Sequence, residues 1–321
     1  MRRYLLRRLL LTVPFLLAVS AMLFLVLTLA PGDPVDLFIL SNREVQPKDI
    51  EALKKAYGLD RPIPVRYVRW LGRVASGDLG WSLYYRQPVM TIMQERVPNS
   101  LLLTLPALAV AVALAVPVGI LSAVRQYSVV DHVTNLVAFA GFSIPLFWFG
   151  IVAMYVFAVV LRWLPPGGFP GAGTGAAEVT LLTKLRYLIL PMLVISFHLI
   201  ALLVRHVRSS VLEVIRQDFV RTARAKGLAE ARVINRHVVR NAMLPVVTIL
   251  SLVIPALFGG APVTESVFGW PGIGHLLVQS VLVGDHLVSM AVLMMIALLI
   301  VAFSLAADVA YAWLDPRIQY A

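Results

Sequence analysis

Long apolar runs separated by short polar stretches dominate the pattern of this chain. Six runs can cross a bilayer, because a helix rises about 1.5 Å per residue and the hydrocarbon core is about 30 Å thick. They cover residues 9–30, 100–123, 133–161, 187–204, 243–262 and 287–313. Apolar residues run continuously within each, which is typical of membrane helices and not of alternating barrel strands. The sequence therefore predicts an all-α, polytopic membrane protein with six transmembrane helices.

The first run could also be read as a cleavable signal peptide. Four arginines precede it, and Val19-Ser20-Ala21 faintly resembles a cleavage site. However, the apolar run continues to Ala30, which is too long for a typical signal core. We therefore predict a retained first helix within residues 1–30.

The distribution of basic residues predicts the orientation. Cytoplasmic loops carry an excess of Lys and Arg. With the N-terminus inside, nine basic residues fall in the inner loop between the fourth and fifth helices, whereas none lies between residues 263 and 286. Both termini are therefore predicted to be cytoplasmic.

Composition and charge agree with this class. Hydrophobic residues make up 60% and charged residues 14% of the 321 positions, a balance unusual for a soluble globule. The net charge of +11 is explained by basic residues that face anionic lipid headgroups, and no aromatic-basic interleaving suggests nucleic-acid binding. The absence of cysteine excludes disulfides, thiolate metal sites and cysteine nucleophiles.

The largest predicted soluble segment is residues 31–98, which we expect to form an extracytoplasmic cap domain. Tyr67, Trp70, Leu71 and Val74 recur at helical spacing and predict a short amphipathic helix there. An earlier helix is predicted over residues 47–57 after a proline-rich turn at 31–34. The cap either packs over the membrane helices or offers a docking surface to an exported partner. Residues 99–321 would form the permease core.

The cytoplasmic loop at residues 205–242 predicts two short helices joined by a glycine elbow. Leu212, Ile215, Phe219 and Ala223 fall on one face of the first helix. Gly227 is placed to cap it in the left-handed conformation, and a second helix should start near Ala229. On that second helix, basic side chains recur every four residues, at Arg232, Arg236 and Arg240.

This loop has two interpretations. A partner protein could approach the small residues Ala223, Ala225 and Gly227 closely, with Arg221, Arg224 and Lys226 setting the register, as when a helix lies in a groove. Alternatively, the loop is solvated and only enforces topology. The chain has no GxxxxGK[ST] phosphate-binding loop, so we expect no ATP hydrolysis by this chain itself.

A second polar feature is the predicted outer hairpin after the fifth run. Its residues are rich in turn formers and large apolar side chains: Glu265, Phe268, Trp270, Pro271 and Gly272. The hairpin could dip between helices as a gate, since irregular backbone at membrane depth must line protein or water. Alternatively, Trp270 is a simple interfacial anchor.

Several segments together resemble a known family. Arg221, Thr222, Ala223 and Gly227, followed by Leu244-Pro245, are similar to the coupling motif of permease subunits in ATP-binding-cassette importers, although Arg221 and Thr222 replace Glu and Ala. The stretches PGDP at 31–34, YGLDRPIPVRY at 57–67, GDLG at 77–80, GFSIPLFW at 141–148 and VFGWPGIG at 267–274 resemble the B-type subunit of dipeptide and oligopeptide permeases. The resemblance spans essentially the whole chain.

The resemblance implies a type I ABC importer fold in the inner membrane and a role in peptide import. The implied partners are a second homologous permease, two ATPase domains that bind ATP and Mg²⁺, an extracytoplasmic solute-binding protein and membrane lipids. The ATPase would contact residues 219–228, including Phe219, Thr222 and Leu228. The implied substrates are di- or oligopeptides, although similar permeases import nickel chelates, glutathione or oligosaccharides. No catalytic, cofactor-binding or metal-binding residue is expected in this chain.

Two other function classes remain open on the residues alone. An ion-coupled carrier should bury acidic or histidine relays at mid-membrane. Only His198 falls inside a predicted span, with Asp308 near a helix end, and we expect His198 to be a helix-packing hydrogen-bonder. A membrane-embedded hydrolase would need a paired catalytic set, for which Ser143 and His198 are the available candidates.

Overall fold

The computed structural model describes residues 2–29, 51, 55, 58, 60–169 and 180–314. The helices in chain order are α1 (Arg2–Leu29), α2 (Ile63–Ala75), α3 (Val89–Val124), α4 (Val129–Ser143), α5 (Leu146–Met154), α6 (Leu181–Val214), α7 (Asp218–Ala225), α8 (Glu230–Arg232), α9 (Arg240–Phe258), α10 (Pro262–Phe268), α11 (Ile273–Leu282) and α12 (His286–Leu314). Two π-helical segments follow α5 and α8, at Tyr155–Val160 and Val233–Val239. A short antiparallel hairpin joins β1 (Trp81–Ser82) to β2 (Gln87–Pro88).

Within these residues, five helical stretches are long and apolar enough to cross a membrane. They are Leu10–Leu29, Val89–Val124, Leu182–Val214, Glu230–Phe258 and His286–Ala306. Five of the six expected spans are thereby confirmed as helices, although three of them, Val89–Val124, Leu182–Val214 and Glu230–Phe258, begin several residues before the predicted apolar run. α3 begins at Val89 and continues through Pro98, so the last residues of the 31–98 segment are helical.

The third expected span is not one straight helix. α4 and the following stretch Leu146–Val160 meet at an angle of 99°. Ile144 has an extended backbone, with φ −75° and ψ 126°, because the proline that follows disfavours the helical conformation in the preceding residue. Pro145 also lacks an N–H to donate into the preceding turn. Counted as one broken span, the pair brings the total among the described residues to six.

The chain divides into two compact units. The first comprises Met1–Ser100, Phe258–Pro262 and Gly272–Ala321, and the second comprises Leu101–Leu257 and Val263–Pro271.

In the first unit, the amphipathic helix α2 packs on α1 as its apolar stripe predicts. Trp70 is buried with Phe24 and Met290 in one cluster, which Tyr67, Leu71 and Val74 border. The hydroxyl groups of Tyr67 and Ser20 are 2.8 Å apart and share a hydrogen bond. The predicted turn at residues 31–34 lies outside the described residues. Of the predicted helix at 47–57, the structure describes only residues 51 and 55.

In the second unit, small residues bring α3, α4 and α6 close together. A Cβ atom placed on Gly119 would lie 2.8 Å from the Cβ of Val207, and one placed on Gly141 would lie 3.0 Å from the Cβ of Ala201. One end of this bundle is filled by a group of buried residues that we call the elbow cluster: Ala123, Val207, Val211, Val220, Ala223, Val233, Ile234, Val238, Ala242 and Val246.

Candidate functional site

The predicted glycine elbow is present. α7 runs from Asp218 to Ala225, and Gly227 adopts φ +73°, the left-handed conformation that ends a helix. Ala229 precedes the first residue of the next helix, Glu230, as the sequence indicated. No atom of the described residues lies within 4 Å of the position that a Cβ on Gly227 would occupy, so this part of the elbow is not covered by them.

The inward face of α7 differs from the predicted one. Val220 and Ala223 are buried in the elbow cluster, whereas Phe219 is 43% exposed. The expected continuous face through Leu212, Ile215, Phe219 and Ala223 was wrong, because α6 ends at Val214 and the chain turns before α7 begins. The small side chain of Ala223 therefore lets α7 approach its own chain, and it is not available to a partner.

The outward face of α7 and the elbow is mostly polar and basic. The exposed residues are Phe219, Arg221, Thr222, Arg224, Ala225, Lys226 and Gly227, and Leu228 is half-buried against the elbow cluster. Two ion pairs cross this surface: Arg224 Nη2 lies 2.6 Å from Glu230 Oε1, and Arg221 Nη1 lies 3.5 Å from Asp218 Oδ1. The Arg224 pair joins α7 to the start of the next helix across the elbow.

The helix after the elbow is not short, contrary to the prediction. From Glu230 it continues through the π-helical segment Val233–Val239 into α9, as one helical stretch that ends at Phe258. The predicted basic face is exposed at Arg232, Arg236 and Arg240. The elbow is thus joined directly to a membrane-spanning helix, and a displacement of α7 would reach α6 and α9 through the elbow cluster.

A buried ionic cluster that the sequence reasoning missed lies in the same unit. Asp131, in the first turn of α4, accepts two hydrogen bonds from Arg208 of α6, at 2.7 and 2.9 Å. It also accepts from the Ser122 hydroxyl at 2.6 Å, from the Asn135 amide at 2.8 Å and from the backbone N–H of Tyr127 at 2.9 Å. These bonds tie α3, α4 and α6 together. A sequence signal existed in Ser128-x-x-Asp131, because a helix often begins with such a capping pair.

The predicted outer hairpin is a buried helical turn. Glu265 and Phe268 lie on α10, and Trp270, only 1% exposed, follows it. The backbone N–H of Trp270 donates to the carbonyl of Glu265 at 2.8 Å, and the Trp270 ring meets Phe169 edge-on at 5.0 Å. The interfacial-anchor interpretation is therefore wrong, because the indole is enclosed by its own chain. Pro271 and Gly272 continue toward α11, and a gating role for these residues stays a prediction.

The structure also changes the interpretation of His198. Its Nδ1 atom is buried and has no hydrogen-bond partner in the described part of the chain, so the expected packing hydrogen bond is absent there. The imidazole instead stacks on Phe142, with ring centroids 5.9 Å apart. Nor does His198 bond to Ser143, so the hydrolase alternative gains no support.

Known proteins match this chain over its full length. A family model described as "Binding-protein-dependent transport system inner membrane component" matches residues 115–320, and a model for the N-terminal part of such membrane components matches residues 1–104. The oligopeptide transport system permease protein AppB of Bacillus subtilis (strain 168) is 41% identical over 321 residues, covering 100% of both chains. The di/tripeptide transport system permease protein DppB of Pseudomonas aeruginosa (strain UCBPP-PA14) is 35% identical and covers 100% of this chain and 99% of its own.

A solved structure shares the fold. The MetNI methionine ABC transporter, in an inward-facing conformation, contains a chain that aligns with a TM-score of 0.55 and 17% identity. The alignment covers 70% of this chain and 97% of that one. At this identity the likeness concerns the fold alone, and it confirms the expected importer fold.

Proposed function

The chain belongs to the family of binding-protein-dependent transport system inner membrane components, and on that premise we propose that it is a permease subunit of an ATP-driven peptide importer. It is a multi-pass inner-membrane protein. The single observation that carries the proposed substrate class is the full-length similarity to permeases named for oligopeptides and di/tripeptides. The substrate would be a peptide delivered by an extracytoplasmic solute-binding protein.

Further subunits complete the proposed importer. A second homologous permease would form the other half of the path, and two ATP-binding-cassette domains on other chains would bind ATP and Mg²⁺. The outer cap at residues 31–98 would face the solute-binding protein. Both termini would be cytoplasmic, which places the elbow on the side where the ATPase acts. This chain would contribute no catalytic group.

The ATPase would dock on the outward face of α7 and on the elbow. Arg221, Arg224 and Lys226 carry positive charge there, and Phe219 offers exposed apolar area, a combination suited to a groove with acidic walls. Val220 and Ala223 hold the opposite side of α7 against α6 and against the helical stretch that continues into α9. Movement of the ATPase would then be transmitted as movement of packed helices, because a close-packed core deforms little.

A bulky substitution on the outward face tests this assignment. Ala225, the last residue of α7, is exposed, so Ala225→Trp should leave the permease folded while filling the space that the ATPase groove needs. We expect at least a tenfold weaker association with the ATPase, about 1.4 kcal/mol, together with loss of ATP-dependent peptide uptake in proteoliposomes.

A matched control is available at the end of α2. Ala75 is also exposed and is also the last residue of its helix, but it lies outside the cytoplasmic loop. Ala75→Trp should leave ATPase association unchanged. Normal association and uptake by the Ala225→Trp complex would contradict the docking assignment, whereas absence of ATP-dependent peptide uptake by the complete wild-type complex would contradict the proposed function.

A further inference from the structure

Three side chains on α4 and α6 form a stack that the coupling mechanism does not use. The rings of Phe142 and His198 lie within 13° of parallel, and the guanidinium carbon of Arg205 is 5.1 Å from the centroid of the Phe142 ring. We call these three residues the platform. The close approach of α4 to α6 at Gly141 and Ala201 supports it directly, so its geometry is set by the helix packing.

The platform covers the C-terminal half of the candidate span Leu182–Val214, and Arg205 lies one residue beyond the predicted apolar run at 187–204. His198 is at the centre of the span Leu182–Val214, and Arg205 is two turns further along the same helix. Helical side chains tilt toward the N-terminus of their helix, so the Arg205 guanidinium points toward the middle of the span and away from its polar end. A charged group at this depth is expected to face water or protein, because hydrocarbon cannot solvate it.

The platform is also accessible in this chain. Phe142 is 49% exposed, and Arg205 is exposed beside it. Within the described residues, the Arg205 side chain forms no ion pair, and the His198 ring accepts or donates no hydrogen bond. The guanidinium therefore presents unused donors at the surface of the helix pair.

A break in the helix lies beside the platform. α4 ends one residue after Phe142, and the chain bends by 99° at Ile144 and Pro145. Ser143 and Pro145 are exposed at this break. Irregular backbone at membrane depth is tolerated only where protein covers it or where it borders a water-filled cavity. The broken helix and the exposed arginine thus lie close together, at a face that protein or water must cover in the membrane.

We infer that the platform contacts the C-terminal carboxylate of the transported peptide. The inference rests on the proposed function and deepens it by assigning residues to the substrate path. A guanidinium presents paired N–H donors that match the two oxygens of a carboxylate, and the Phe142 ring holds the guanidinium in place through a cation–π contact. A contact made by one arginine in a hydrated path is weak enough to release the substrate, as transport requires.

Uptake by the reconstituted complete transporter tests the contact with two forms of one peptide. One form carries a free C-terminal carboxylate, and the other carries a C-terminal amide. We compare Arg205→Gln with wild type for each form, using the same solute-binding protein, so that any preference of the binding protein cancels in the ratio. Arg205→Gln should lower uptake of the acid form about tenfold and uptake of the amide form less than about twofold. Arg205→Lys retains the positive charge but loses the paired N–H donors of the guanidinium, so its uptake of the acid form should lie between those of wild type and Arg205→Gln.

Arg125→Gln provides the matched control. Arg125 is an exposed arginine in the turn after α3 and is not part of the platform. The transporter that carries Arg125→Gln should take up both peptide forms at the wild-type rate. Equal loss of both forms in Arg205→Gln, or no loss of either, would overturn the carboxylate contact. Failure of wild type to import either form would instead refute the proposed function.

A thiol-labelling experiment distinguishes a peptide path from a lipid contact. The chain contains no cysteine, so Phe142→Cys introduces a single reactive thiol into this subunit. In the assembled complex, a charged, membrane-impermeant methanethiosulfonate should label this thiol, and transported peptide should slow the labelling. Reaction only with a membrane-soluble maleimide would show that position 142 faces lipid, and it would overturn the inference.

Discussion

Two buried aspartates, one in each compact unit, join segments that are far apart in the sequence, but their charges are compensated in different ways. Asp131 is 1% exposed and receives two hydrogen bonds from the guanidinium of Arg208. Asp285 is 7% exposed, and its partners among the described residues are neutral: the Ser82 hydroxyl and backbone N–H groups. Asp131 therefore holds its segments together through an ion pair, whereas Asp285 does so through hydrogen bonds from neutral donors. We call both of them aspartate clamps.

The difference appears in the protonation of Asp285. Burial raises the pKa of its carboxyl group, because desolvation disfavours the charged form, while the Ser82 hydroxyl and the N–H groups of Val288 and Tyr84 lower it only in part. Breaking a buried ion pair is costly, because it leaves a charge without its partner. A buried carboxylate that has only neutral donors around it can instead take up a proton and become neutral. Burial alone therefore does not tell how much an aspartate contributes to stability.

The largest expected effect is the loss of the Asp131 charge. Asp131→Asn would leave the Arg208 guanidinium, whose side chain is only 20% exposed, without its counter-charge. Removing one partner of a largely buried pair costs about 3 kcal/mol, and we expect the variant complex to lose about that much stability. The apparent melting temperature of the purified complex, followed by size-exclusion chromatography after heating, measures this loss.

Replacing both partners sharpens the comparison. Asp131→Asn combined with Arg208→Met removes the unpaired charge, so the double variant should recover part of the stability that the single variant loses. A double variant that melts at the temperature of the single one would show that the charge is not the reason for the loss. The cluster would then act through its neutral hydrogen bonds from Ser122 and Asn135.

The apolar pattern predicted much of the fold, because bilayer thickness imposes a length that can be counted along the chain. It concealed the break at Pro145, where apolar residues continue on both sides and only the proline rule points to an interruption. The elbow was predictable for a local reason: Gly227 is needed for a left-handed cap. The inward face of α7 was not, because its register depends on where α6 ends.

The two aspartate clamps show where reasoning from one sequence stops. Asp131 and Arg208 are 77 positions apart, and Ser82 and Asp285 are 203 apart. Such pairings form only when the fold brings helices or a hairpin together. The spacing of apolar and polar residues along the chain does not predict them. Arg208 lies just beyond the apolar run at 187–204, among other polar residues, so the sequence does not mark it as the partner of a buried acid.

The smaller expected effect concerns Asp285. Asparagine can accept from the backbone N–H groups and donate to the Ser82 oxygen, so Asp285→Asn should lose no stability at neutral pH, in contrast to Asp131→Asn. Because the folded-state pKa of Asp285 lies above its unfolded value, its favourable contribution is complete below the unfolded pKa and declines as pH rises through the folded pKa. Wild type should therefore lose stability relative to Asp285→Asn as pH is raised from about 4 to about 7. Melting both proteins across this range measures the difference, and a difference that is constant with pH would show that Asp285 is as well compensated as Asp131.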